Sequence, residues 1–189
     1  MTKIGVIAED TSDIEVVKEL IRKFQPPSSF CVRHFVGNGC GKLRTKSRAW
    51  ADQLRLRGCS CLLFLHDLDR HNPSKLRSDL VAALSPCPIP KHAIVIPIEE
   101  IEAWLMCDPS AIMRVFSLRI PPKLPGNPES IVNPKEKLES LVWRLSGKRR
   151  RYINTVHNAA IAKALNISLL RKCSAFDEFE RFINSDLSA

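Results

Sequence analysis

Cys61-Leu62-Leu63-Phe64-Leu65-His66-Asp67-Leu68-Asp69 decides the fold. Five consecutive apolar residues read as a strand buried on both faces, the mark of a parallel sheet, and the run ends in two aspartates. Two other apolar runs end in the same way. Lys3 to Ala8 leads into Glu9-Asp10-Thr11-Ser12-Asp13, and Ala93 to Ile98 leads into Glu99-Glu100-Ile101-Glu102. In a parallel α/β sheet the carboxyl ends of the strands open on one crevice, so these acids are expected to meet there although they are distant in sequence. A cage of hard oxygen ligands is the setting that Mg²⁺ or Mn²⁺ requires.

The segments between these runs read as helices. Ile14, Val17, Leu20, Ile21 and Phe24 recur at helical spacing until Pro26-Pro27 stops them. Phe30 to Val36 reads as a further strand, Gly37 to Gly41 as a loop and Leu43 to Leu56 as a basic amphipathic helix. Asn72-Pro73 is a cap with proline at the first helical position, opening a helix through Leu76, Leu80, Val81 and Leu84. The segment from Glu99 through Met106 reads as helical.

Strands alternating with helices specify a mostly parallel four-stranded α/β sheet with helices on both faces. The expected organisation is an α/β domain over 1–116, a proline-rich connection over 117–134 and a basic helical extension over 135–189, packed on the first domain. The extension reads as helices at Lys135 to Leu145, Ile153 to Leu165 and Ser174 to Ile183, with Ser174 as a candidate cap.

The chain has 189 residues, 44% of them hydrophobic, which suits a globular protein able to bury a core unaided. Its apolar runs fall far short of the ~20 residues that span a bilayer, and no leader pattern precedes the first strand, so a cytoplasmic protein without membrane association is expected. The seven cysteines lack the spacing of a zinc site or a disulfide framework, and most lie in or beside apolar runs, as buried thiols do.

The net charge is +9, and it is clustered. Seven basic residues against Asp52 alone lie between Arg33 and Arg57, and no acid occurs from Ser140 to Phe176. Lys42, Arg44, Lys46 and Arg48 form one candidate nucleic-acid-binding group and Lys148, Arg149, Arg150 and Arg151 another, since four adjacent like charges repel unless something neutralises them. A solvated face that keeps the protein soluble is the plainer explanation. Gly37-Asn38-Gly39-Cys40-Gly41-Lys42-Leu43 approaches a P-loop, but its first glycine is misplaced and Leu43 stands where Ser or Thr would hold Mg²⁺, which argues against an ATPase.

Asp67 and Asp69 are two apart, so an extended backbone turns both side chains the same way, as a metal clip needs. Glu9 and Asp13 are four apart, with Thr11 or Ser12 as a cap between them, and both acids can face the same edge. Asp10 reads as a partner of the helix dipole. Glu99 and Glu102 are one helical turn apart on a common face, with Glu100 turned elsewhere, and form a candidate second ligand pair or simply a dipole-matched first turn. His66 and His71 flank the aspartates, as plain hydrogen-bond partners or as proton-transfer groups.

The order of these motifs resembles the TOPRIM domain of topoisomerases, bacterial primases and OLD-type nucleases. Ala8 to Asp13 is similar to its first motif and Asp67-Leu68-Asp69 to its second, while Asp10 stands where the family usually has glycine. Ile98 to Leu105 and Tyr152 to Phe182 resemble small prokaryotic TOPRIM-like proteins associated with anti-phage and mobile-element loci. The resemblance implies Glu9, Asp67 and Asp69 as catalytic metal-site acids, with Asp13 and one of Glu99 or Glu102 as auxiliary ligands. It further implies Mg²⁺- or Mn²⁺-dependent hydrolysis of DNA or RNA phosphodiesters, and it is compatible with a defence effector restrained by an ATPase partner and with a homodimer. Tyr152 reads as a packing or phosphate-contacting residue rather than a nucleophile. The alternatives are a non-catalytic nucleic-acid or partner-binding module, or an enzyme acting on mononucleotides.

Overall fold

The computed structural model describes residues 1–186 and contains a four-stranded, wholly parallel sheet in the order β2-β1-β3-β4. β1 spans Thr2–Ala8, β2 Phe30–Val36, β3 Cys61–Leu65 and β4 Lys91–Val95. α1 (Thr11–Ile21), α2 (Cys40–Leu56) and α3 (Pro73–Leu84) are the crossovers between successive strands. β1 and β3 are central and buried along most of their length, as their apolar runs require.

Each sheet face has its own core. On one, Leu43 and Leu54 of α2 and Leu76, Leu80 and Leu84 of α3 pack with Ile7, Leu62 and Phe64. On the other, Ile4, Val6, Leu63 and Leu65 meet Ile14, Val17 and Leu20 of α1. This second core continues without a break into the C-terminal helices α6 (Pro134–Leu145), α7 (Asn154–Ala164) and α8 (Phe176–Asp186). α7 packs along α1, and α8 lies beside β4. Trp104, fully buried, meets Phe176 and Phe179 edge-on at 5.4 and 5.9 Å between ring centroids. Aromatic pairs in this geometry add to the attraction that burial alone provides.

Several expected boundaries shift for local reasons. β4 runs over Lys91–Val95, two residues earlier than the sequence suggests, although pairing persists beyond it through His66 N–H to Val95 O and Leu68 N–H to Pro97 O. The helix expected from Glu99 shrinks to α4, Glu102–Leu105, because Glu99 adopts φ +59°, outside the right-handed helical region. α5, Pro109–Phe116, is not among the expected helices, yet Asp108 caps it by accepting from the N–H groups of Ser110 and Ala111 at 2.9 and 3.1 Å.

The proline-rich segment is tied down by Glu129. Its buried carboxylate accepts from the Ser174 N–H at 2.9 Å and the Ser174 hydroxyl at 3.0 Å, so the chain entering α8 is held by Glu129 rather than by a Ser174 cap. Cys59, Cys61, Cys107 and Cys173 are buried, and Cys31 and Cys87 are half-buried. Among the described residues no helix is long and apolar enough to cross a membrane.

Candidate functional site

Backbone hydrogen bonds continue past the strand ends in two pairs, from the end of β2 to the end of β1 and from the end of β3 to the end of β4. Asn38 N–H donates to Glu9 O at 3.0 Å, Leu68 N–H to Pro97 O at 3.0 Å and Asp69 N–H to Glu99 O at 3.2 Å. With β1 and β3 paired in parallel, the three acidic segments surround one small cleft of about 140 Å³. Glu9, Asp10, Asp13, Asp67, Asp69, Glu100 and Glu102 line it with Ser12, Asn154 and a single cation, Lys135.

Each acid is positioned differently. Asp10 is the N-cap of α1 in extended backbone, φ −126°, and accepts from Ser12 N–H. This backbone does not require glycine, so an aspartate occupies the position without strain. Asp13 closes a capping box by accepting from Asp10 N–H at 2.9 Å. Asp10, not Thr11 or Ser12, supplies the cap. Asp67 accepts from the Ile101 N–H at 3.1 Å, anchoring β3 to the start of α4. Asp69 and the following Arg70 both take positive φ, 46° and 62°, which turns the chain sharply at the edge of the cleft.

Glu102 is 4% exposed, so its charge depends on the partners it has inside the fold. The Tyr152 hydroxyl donates to its Oε1 at 3.0 Å in competition with Asn158 Oδ1, and Asn158 Nδ2 donates to the same Glu102 oxygen at 3.1 Å. Asn154 Nδ2 bridges α7 to the first motif, reaching Asp10 Oδ2 and Ser12 Oγ at 3.3 Å each.

The electrostatics record crowding of like charges. Burial raises the Asp13 carboxyl to about 7, and the nearby Glu102, Asp10 and Glu9 push the same way against the Asp10 N–H. Asp67 is ringed by protein while part of its surface stays open to the cleft. Burial raises it well above the usual carboxylate range, reinforced by Asp13, Glu102, Asp69 and Glu9. Glu100 is raised by burial as well, partly offset by the Lys135 N–H that donates to it at 2.8 Å.

The donor set fits a hard divalent cation. All its side-chain donors apart from one lysine and one amide are oxygens, and Glu9 Oε2 is buried with no hydrogen-bond partner, a state that normally costs a carboxylate dearly. Among the described residues no three His, Cys, Asp or Glu side chains already close into a ligand set, so the acids face one cleft without converging on a point.

The structure thus brings together Glu9, Asp13, Asp67, Asp69 and Glu102 from the acids singled out in the sequence. It does not bring Glu99, whose carboxylate turns to Arg70 at 3.9 Å while Glu100 takes the place in the cleft. The expectation that pairs Glu99 with Glu102 assumes a helical turn that the positive φ at Glu99 removes. His66 is fully buried with Nδ1 2.7 Å from the Asp67 carbonyl oxygen, and His71 lines a separate pocket with Arg44 and Lys75. Lys135 and Asn154 are site residues that the sequence does not reveal. The only signal is Pro134, which as the first residue of α6 fixes where the Lys135 N–H points.

The basic candidates divide. Arg48 pairs with Asp52 at 3.2 Å, while Lys42 and Lys46 are exposed on α2. Arg151 lies over the Trp143 ring at 5.3 Å, whereas Arg149 and Arg150 line a different cavity and Lys148 takes φ +63° in the turn after α6.

A family model described as a domain of unknown function, DUF4276, matches residues 8–184. The chain belongs to the DUF4276 family. No curated protein and no solved structure matches it. Every residue that lines the acidic cleft, from Glu9 to Asn154, lies inside the matched DUF4276 region.

Proposed function

We propose that this DUF4276 chain is a divalent-metal-dependent phosphodiesterase acting on nucleic acid. The observation that carries the reading is the cleft itself. Seven carboxylates from three strand ends face it, one of them with a buried oxygen that no protein donor satisfies. Such crowding is unfavourable unless a cation completes it.

Glu9, Asp67 and Asp69 are the residues to hold Mg²⁺ or Mn²⁺, with Asp13 and Glu102 beside them. An ion held there would lower the pKa of a water and neutralise charge on a phosphodiester. Tyr152 and Asn158 keep one Glu102 oxygen fixed, so the carboxylate meets its ligand in one orientation. Asp13 can take up or release a proton near neutral pH. Lys135 offers a positive charge at the cleft for a phosphate oxygen. The resemblance to TOPRIM nucleases supports the same chemistry and adds a role in phage defence with an ATPase partner.

The test is incubation of purified protein with labelled single- and double-stranded DNA and RNA in Mg²⁺, Mn²⁺ or chelator. Metal-dependent cleavage lost in Asp67→Asn/Asp69→Asn supports the reading. Cleavage that survives the double substitution places the chemistry elsewhere, and metal-independent binding without turnover leaves a binding module.

A further inference from the structure

A cavity separate from the acidic cleft is rich in arginine. It measures about 510 Å³ and lies between the C-terminal ends of α5 and α6, lined by Ser117, Leu118 and Arg119 on one side and by Arg144 to Gly147, Arg149 and Arg150 on the other. Four of its residues are arginines and none is acidic. None of the four forms an ion pair among the described residues, in contrast to Arg48, Arg77, Arg114 and Arg171, which do.

Two backbone devices shape this cavity. Ser117 adopts φ 49° after α5, and Gly147 and Lys148 take φ 64° and 63° after α6. The Ser146 hydroxyl then accepts from the N–H groups of Arg149 and Arg150 at 3.2 and 3.0 Å, folding the basic run back over the helix end. The dipole of α6 favours a cation or two at its C-terminus. It does not account for four arginines lining one cavity without an ion-pair partner among the described residues.

The ligand class follows from the lining. A cavity of this size is within the range of built ligand sites, but it has no aromatic ring on which a base could stack, and the polar side chains of its lining are arginine and serine. These recognise phosphate oxygens, and arginine does so with two parallel donors. The cavity is also tethered to the acidic cleft. Two residues beyond Arg150, Tyr152 holds Glu102, and two further on, Asn154 lines the cleft. Four residues of chain span at most about 14 Å, the rise of about four nucleotides of a strand.

We propose that this four-arginine cavity is a phosphate-binding pocket that grips the backbone of a nucleic-acid strand a few nucleotides from the acidic cleft. Its role as a substrate anchor rests on the phosphodiesterase reading; its binding of phosphates does not. Arg119 joins the pocket from outside the basic stretches of the sequence, Arg144 joins it from the acid-free stretch Ser140 to Phe176, and Arg151 is excluded from it by its place over Trp143.

The test measures binding without turnover. Fluorescein-labelled single-stranded DNA is titrated in chelator with the full chain, with Arg119→Gln/Arg149→Gln, and with Arg55→Gln/Lys91→Gln as a control of equal charge at exposed positions elsewhere. The pocket variant is expected to bind about ten-fold or more weakly and to lower the slope of log affinity against log salt by about 1.4, about 0.7 for each arginine taken from a phosphate of a single strand. The control is expected to change affinity less than about two-fold. Equal losses in the two variants, no loss in either, or no binding by the parent chain overturn the pocket. Pyrophosphate or ATP displacing the strand at concentrations below that of competing unlabelled DNA phosphates overturns the strand and leaves a small polyphosphate as ligand. Absence of cleavage by the parent chain in Mg²⁺ or Mn²⁺, with strand binding intact, would strike the hydrolase reading alone.

Discussion

Tyr152 donates its hydroxyl proton to Glu102 Oε1 at 3.0 Å across fifty residues of sequence, joining the start of α7 to the third acidic segment. Burial and the Glu102 charge keep the phenol protonated far above its ordinary range, so it serves as a fixed donor and not as a nucleophile. Outer donors to a metal-ligating carboxylate commonly account for about ten- to a hundred-fold in metal affinity. Tyr152→Phe is therefore expected to weaken Mn²⁺ binding by at least about ten-fold in calorimetric titration, with the fold retained by circular dichroism. Unchanged affinity would reduce Tyr152 to packing.

The Asp13 carboxyl titrates at about 7 in the folded chain and near 3.8 when unfolded. The folded state therefore holds the proton more tightly, and this group's contribution to stability declines as pH rises from about 4 to 7 and is flat above that. Metal binding competes with that proton. The rise in melting temperature on adding Mg²⁺ is expected to be larger at about pH 8 than at about pH 5. A rise independent of pH would show that no titrating acid of the cleft meets the ion.

Like charges gathered for function cost stability when no cation is present. Asp67→Asn is expected to stabilise the metal-free protein by about 0.5–2 kcal/mol while removing the stabilisation that Mg²⁺ provides. Differential scanning fluorimetry with and without Mg²⁺ measures both. A destabilised variant that still responds to Mg²⁺ would show Asp67 to be a structural anchor for Ile101 N–H and nothing more.

Trp104 links the sheet to α8 through Phe176 and Phe179. Its Nε1 has no hydrogen-bond partner, so its contribution is packing. Trp104→Ala is expected to cost about 3–5 kcal/mol and to lower a single unfolding transition, because the same core cluster holds both ends of the chain. Two separate transitions, with only one moved, would show the C-terminal helices to be an independent unit.

Periodicity makes the sheet readable, and it fails where backbone geometry takes over. β2 and β3 coincide with their apolar runs because both are bounded by turn residues, and the acids at the ends of β1 and β3 lie at the crevice that parallel strands dictate. Glu99 and Glu100 exchange places because one left-handed residue rotates the segment, and no side-chain pattern encodes a positive φ at a glutamate. The helix after Asp108-Pro109 carries the same cap signal that identifies the helix after Asn72-Pro73, and only its short length hides it. Lys135 and Asn154 reach the cleft, and Tyr152 and Asn158 reach Glu102 behind it, by tertiary packing of α6 and α7 on α1 and α4, which spacing along a single chain does not carry.

Glu99 and Glu102 differ in what they face, and their substitutions are expected to differ accordingly. Glu99→Gln is expected to leave Mn²⁺ affinity within about two-fold, since its partner is the exposed Arg70, whereas Glu102→Gln is expected to lower it at least about ten-fold. The reverse order in a titration would return Glu99 to the site.

The most direct measurement is anomalous diffraction from a crystal of the chain soaked in Mn²⁺. A peak within about 2.0–2.3 Å of oxygens from Glu9 and Asp67, joined by Asp69, Asp13 or Glu102, is the expected result. An intact cleft without a peak at saturating Mn²⁺, or a peak bound elsewhere on the molecule, contradicts the claim that these acids form a metal centre.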